Sequence, residues 1–383
     1  MSLKYIRVTL ENQRLDFYRL NLYKQNHMNN YLKSIMSFFA SFFYTPSHGA
    51  MDKQIEDFIR SIPPVEQERT KYLLSYRQQV ASTMAKADLV ILDRIIFEFL
   101  PTDEQRRFNN KHKRSFRPIE DIIGRAVQYM IKGNFDIAYK ILSEQYNILK
   151  KLYTDSESVE YHVFDTSLEE SLFEKIVLPC KKVLLLPENY GLFYRTYASV
   201  LHEMKQYNSA LEAFKTSLRY NPVSCATYTE LCELYKERNM FQEMMDASQY
   251  ALQFAATKEQ IARFYRNIAY SLENWKRYRE ALVLHYLSME LSDSDFSLYA
   301  IGGLSEILGK DNSEPPTSTE IQNVLKQNHI PEYPSPLVIS EALGQADLAL
   351  EHNMNELAIY FLSLVYELTD SEDVMNRIKS ISV

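Results

Sequence analysis

Few residues in this 383-residue chain stand where catalysis would need them. The adjacent carboxylates Glu169 and Glu170 could share acid and base roles, and Cys232 could act as a nucleophile. Each has a plainer reading. Ser167-x-x-Glu170 marks a helix start, where acidic first-turn residues complement the positive end of the helix dipole. Cys232 falls where the helical pattern already asks for a small apolar residue. The sequence holds no P-loop, G-x-G-x-x-G, G-x-S-x-G or H-E-x-x-H, and none of its eight histidines has a glutamate three residues earlier, as di-iron bundles require. No metal, cofactor or enzymatic activity is expected. What remains is arginine. Arg195, Arg263 and Arg266 offer planar forks that match a carboxylate or phosphate, which is the chemistry of recognition.

The elements that would position these arginines repeat. Phe193 to Leu211 and Phe264 to Leu282 lie 71 residues apart and share nine of nineteen residues. A spacing near two 34-residue units marks a helical array, in which each unit must stack on its neighbours to bury its apolar face. With Gly191 as position 1, further units begin at Cys225 and Ala262, and more divergent ones at Ile119 and Ile339. Position 8 is small throughout, as Ala126, Ala198, Cys232, Ala269 and Ala346, because there the two helices of a pair approach closely. Position 20 repeats the logic with Ala138, Ala210, Ala281 and Ala358, and position 17 carries the rings Phe135, Tyr207, Phe241 and Tyr278. Asn221-Pro222 ends a second helix.

This order resembles the tetratricopeptide repeat (TPR), nearly complete over 191–222 and 262–292, partial over 119–152 and 225–258, and faint over 339–370. Met244 and Ser248 depart from it, standing where Ala and an aromatic are usual. Pro187-Glu-Asn-Tyr190 and Tyr265-Arg-Asn-Ile268 are also similar to a group of bacterial TPR proteins that carry no assigned activity. The resemblance implies an all-α fold, an α-solenoid of TPR-type helix-turn-helix repeats with divergent helical caps. It also implies a concave groove lined by positions 2, 5, 9 and 12 of each first helix. These are Leu192, Arg195, Ser199 and His202, then Ala226, Thr229, Glu233 and Lys236, then Arg263, Arg266, Tyr270 and Glu273. The carboxylate clamp of chaperone-binding TPR domains needs Asn at two positions occupied here by Ser199 and Glu230.

Residues 1–50 lack the repeat register and read as a leader, disordered or not part of the native chain, with Met51 an alternative start. Their apolar run, Ile35 to Tyr44, is half the length of a membrane span, and His48 is wrong for a signal-peptide cleavage site at Ala50. Residues 51–117 read as an N-terminal helical cap broken at Pro63-Pro64, and 118–292 as the TPR array with a degenerate helix pair at 153–190. Residues 293–383 form a C-terminal helical region whose last pair opens at Ser335-Pro336. Further helix starts are marked by Thr102-x-x-Gln105 and Thr257-x-x-Gln260, and the basic run Arg106 to Arg117 reads as a solvated loop.

The first 50 residues hold six basic and two acidic side chains, leaving 37 basic and 48 acidic for the rest, and an acidic body argues against a nonspecific nucleic-acid binder. Three cysteines without a C-x-x-C pair fit the cytoplasm. A non-enzymatic scaffold that binds a protein or peptide, acidic where the arginines gather, is the leading expectation. The alternatives are a peptide-responsive regulatory sensor and nucleic-acid binding through 106–117.

Overall fold

The computed structural model describes residues 53–309, 313–331 and 333–381. The expectations for residues 1–50 lie outside these. The described residues form eighteen helices and one pair of short strands, and no helix among them is long and apolar enough to cross a membrane. Two compact units result, one of described residues up to Pro118 with 145–158, the other of 119–144 with 159 onward.

In the first unit α1 (Lys53–Arg60) and α2 (Glu66–Val80) flank the Pro63-Pro64 break, followed by α3 (Lys86–Phe99) and α4 (Thr102–His112). Ile55, Phe58, Leu73, Leu92, Ile95 and Ile96 fill the core. The same helix α3 also buries charge. Arg94 donates from Nε to Glu98 (2.6 Å) and from Nη1 to the Arg117 carbonyl (2.7 Å), while the Tyr153 hydroxyl donates to the other Glu98 oxygen (2.7 Å). Asp93 accepts from Arg77 and Arg114. Such groups tolerate burial only because each has a partner.

Two expectations fail here. Half of the basic run, Arg106, Arg107 and Lys111, lies on α4 instead of in a loop, and α4 is preceded by Pro101 at the cap position with Thr102 already helical. The side chain of Gln105 turns back to donate to the carbonyls of Phe97 and Leu100 at the end of α3, so it closes one helix instead of opening the next.

The second unit opens with α5 (Ile119–Ile131) and the first turns of α6 (Phe135–Leu149). Residues 153–190 then depart from the expected helix pair. They form β1 (Val159–His162), α7 (Ser167–Ile176) and β2 (Lys182–Leu185), with the two strands parallel. Val159, Tyr161 and Val163 bury their side chains while the Val163 amide donates to the Tyr220 carbonyl (3.0 Å), pinning β1 to the end of a later helix. The α7 cap is Thr166, one residue before the expected start.

Next come α8 (Tyr190–Glu203) with α9 (Tyr207–Tyr220), α10 (Cys225–Glu237) with α11 (Phe241–Ala251), and α12 (Lys258–Asn274) with α13 (Tyr278–Leu291). Then follow α14 (Asp295–Leu308), α15 (Ser318–Gln327), the pair α16 (Pro336–Glu351) and α17 (Asn355–Thr369), and α18 (Glu372–Ile381). Helix α16 packs back on α7, where the Ser171 hydroxyl donates to Glu341.

One turn recurs in all five repeats. Gly133, Lys205, Asn239, Lys276 and Asn353 occupy position 15, and all have positive φ, from 56° to 72°. The following amide reaches back five residues in each, as Asn134 to Tyr129, Gln206 to Leu201, Met240 to Tyr235, Arg277 to Leu272 and Met354 to Ala349. This left-handed closure satisfies the last carbonyls of the first helix and reverses the chain into the second. It brings positions 8 and 20 together, and Ala126, Ala138, Ala198, Ala210, Ala269, Ala281, Ala346 and Ala358 are all fully buried. The fold is therefore an α-solenoid of TPR-type helix pairs, as expected. The cap residue Thr257 accepts from the Gln260 amide (3.2 Å), and Pro336 opens α16, both where the sequence placed them.

Two measurements check this packing. Ala198→Leu or Ala269→Leu forces three carbons into a closed contact and lowers stability by about 1–3 kcal/mol, read as a drop in Tm. At the turn, Lys276→Val costs about 1–2 kcal/mol because a β-branched residue resists positive φ, while Lys276→Gly is neutral or stabilising. Equal Tm for the Val and Gly variants would place the turn elsewhere.

Candidate functional site

The side chains expected to line the groove form a graded row. Leu192, Arg195, Ser199, His202, Thr229, Glu233, Lys236, Arg263, Arg266, Tyr270 and Glu273 are all half-buried, with Ala226 exposed, while their helical neighbours Phe193, Tyr228 and Phe264 are fully buried. Half-burial in successive register on α8, α10 and α12 is what a lining surface requires.

Charge in this row is paired between repeats. Arg195 of α8 lies 3.6 Å from Glu230 of α10, and Glu233 of α10 pairs with Arg263 of α12. The Ser199 hydroxyl, with one proton to give, reaches both the Arg195 carbonyl (2.9 Å) and Glu230. Burial raises the Glu230 carboxyl above its usual range, and the Ser199 bond and the Arg195 charge oppose the rise. Lys236 sits over the rings of Tyr270 (4.6 Å) and Phe296 (5.0 Å), His202 lies 3.2 Å from Glu237, and Glu273 meets the buried His285 at 2.7 Å. Thr229 is turned inward, donating to the Cys225 carbonyl of its own helix.

The three arginines do not gather at one point. Arg195, held by Glu230, lies on α8, two repeats before the other two on α12. Arg263 and Arg266 are neighbours on α12, and burial first, then the Arg263 charge, lowers the Arg266 guanidinium pKa. Arg266 has no ion-pair partner among the described residues, and its Nη1 finds no hydrogen-bond acceptor there. Sequence reasoning missed the glutamate partners, because Glu230 and Glu233 are recognisable only once α10 is known to lie between α8 and α12.

A second polar cluster joins α7 to this row. Glu169 accepts from Asn221 (2.9 Å) and from the Asp165 amide (2.8 Å). Asn189 donates to Asp165 (2.7 Å) and accepts from the Leu192 amide (2.8 Å), capping α8. Part of Glu169 reaches solvent, yet protein surrounds its carboxylate, and this desolvation, followed by the charge of Asp165, raises its pKa to about 7. Asn221, the Asp165 amide and Arg195 pull the other way. Glu169 thus works with Asp165 and Asn221, and no acid–base partnership with Glu170 is needed to account for it.

Cys232 is fully buried, 3.4 Å from the Ser248 hydroxyl, and burial pushes its thiol up to about 12, so it holds its proton and is no nucleophile. Among the described residues no group of three or more His, Cys, Asp or Glu could hold a metal ion.

Neither a protein-family model nor the sequence of a curated protein matches this chain. Among solved structures it is similar to PilF of Pseudomonas aeruginosa, at 12% identity over 68% of this chain and 96% of that one, with a TM-score of 0.36. It is also similar to the C-terminal part of a TPR repeat-containing protein from Cytophaga hutchinsonii (11% identity, 76% and 97% covered, TM-score 0.33). A third similar structure is yeast Tom70 (14% identity, 92% and 69% covered, TM-score 0.30). With every TM-score below 0.5, the assignment of the class rests on the recurrent turn and the paired small residues.

The raised carboxyl of Glu169 makes stability depend on pH. Its native pKa near 7 exceeds the ordinary 4.5, so its stabilising contribution is complete below about pH 4.5 and is lost as pH rises through 7. Glu169→Gln keeps the acceptor for Asn221 and removes the titration. Its Tm matches the parent at pH 5, exceeds it at pH 8, and falls less between the two; parallel curves would show a carboxylate that is not desolvated.

Proposed function

We propose that the protein is a non-enzymatic scaffold that holds a polypeptide segment along the inner row of α8, α10 and α12. The observation that carries this reading is the recurrence of half-buried polar side chains at positions 5, 9 and 12 of three successive first helices. Extended peptides bind such surfaces through alternating contacts, and a row of charged and hydroxyl groups gives them sequence selectivity. The partner is acidic where it meets α12. Arg266 makes no ion pair among the described residues and feels the charge of Glu259 only from beyond contact, whereas a negative charge opposite Arg195 would have to displace Glu230. Cytoplasmic residence fits the free, buried Cys225 and Cys232.

The nucleic-acid alternative loses support from the ion pairs of the first unit. Arg114 is engaged with Asp93 and Arg107 with Glu104, so the basic run is partly neutralised by its own surroundings.

A photo-crosslinking amino acid at Tyr270, in the row, is expected to give a discrete polypeptide adduct in cells, and one at Glu212, on the exposed face of α9, none. Arg266→Ala relieves a like-charge contact, so it leaves Tm unchanged while cutting adduct yield severalfold, and raising salt weakens the adduct further as exposed charges are screened. Adducts from position 212 alone, or a yield indifferent to Arg266→Ala, would refute the reading.

A further inference from the structure

Helix α14 has the register of a first helix with no second helix of its own among the described residues. Phe296 stands 34 residues after Ala262, which makes Leu298, Tyr299, Gly303 and Glu306 positions 3, 4, 8 and 11 of a further unit. In α12 the same positions, Phe264, Tyr265, Ala269 and Leu272, are at most 2% exposed. In α14 they are bare, with Leu298 62% and Tyr299 85% exposed, and Ile307 extends the stripe at 61%. The opposite face of α14 is docked normally on α13, where Ser297 meets Ser288 (2.9 Å) and His285 (3.5 Å). Where a second helix should follow, the chain passes Gly309 and forms α15, which packs on α13.

The glycines sharpen the point. Gly302 and Gly303 lie mid-helix with nothing within 4 Å of where a side chain would begin, and each weakens the helix relative to Ala. Position 8 is where every other unit places a small residue beneath its second helix. The stripe therefore continues the interface that runs through the array, and the missing component is a helix. Its charge follows from the rim. Helix α14 has two carboxylates, the exposed Asp295 at its start and Glu306 in the stripe itself, and no basic residue, while Lys236 of α10 approaches the Phe296 ring at 5.0 Å. Two copies of this face would set like charges against each other, which selects a different partner.

We infer that α14 is a docking site for an amphipathic helix of another protein, with a small residue opposite Gly303 and basic flanks, which completes the repeat in trans. The inference does not rest on the inner row of α8 to α12. The probe is a fluorescein-labelled peptide of residues 206–222 of this chain, a second helix in the required register that carries Lys215 and Arg219 against the single acid Glu212. Titrated with the full chain, it shows a saturable rise in anisotropy. Gly303→Leu, which fills the notch, and Tyr299→Glu each weaken binding at least tenfold without lowering Tm, and Arg266→Ala leaves it unchanged. Absence of binding, or binding indifferent to both substitutions, overturns the inference. So does light scattering that reveals a dimer dispersed by Tyr299→Glu, since the occupant would then be a second copy.

Discussion

Two helices can run side by side at close range only if neither has a large side chain at the crossing, and this constraint underlies the second unit. Ala198 against Ala210 and Ala269 against Ala281 set the approach, with Cys232 and Met244 filling the equivalent place in the middle pair. Close approach demands a tight reversal, which the left-handed residue at position 15 supplies. Once pairs are fixed in this way, the first helices stack at a constant interval. That interval puts Arg195 within reach of Glu230 and Glu233 within reach of Arg263. The lining row is thus a product of packing several residues away from it.

The two units solve the burial of charge differently. In the first, Arg94, Glu98 and Asp93 are enclosed and partnered, an arrangement that ties α3 to α2, to the segment after α4 and to Tyr153 and leaves little to exchange with solvent. In the second, charges are half-covered and bridge adjacent repeats, and Glu169 and Glu230 sit where desolvation holds them closer to neutrality than surface carboxylates. A polar site that is partly desolvated before any ligand arrives has less water to surrender on binding.

Much of this was legible in the sequence because it depends on local spacing. Alanines at positions 8 and 20, rings at position 17 and the stop at Asn221-Pro222 announce the repeat directly, as Thr257 and Pro336 announce two helix starts. What escaped depends on neighbours distant in sequence or on conformations that composition hides. Four of the five reversal residues are Lys or Asn, so the turn has no glycine signature outside Gly133. Strands of four residues are too short to show alternation, and β1 takes its pairing from β2, across the whole of α7. Gln105 looked like half of a capping box, yet it serves the carbonyls of the preceding helix. The glutamates that answer the arginines lie 30 to 35 residues away, with an entire second helix between.

The pairing of Arg263 with Glu233 has one more consequence. A guest carboxylate that settles on Arg263 must evict a carboxylate already there, so capture at that rung is an ion exchange and the count of contacts stays level. The strength of attraction largely cancels between the two occupants, as it does on an exchange resin. On the proposed reading of the row as a peptide-binding surface, preference at this one rung falls to whichever anion better fits between α10 and α12, while Arg266, which makes no ion pair among the described residues, is left to select by charge.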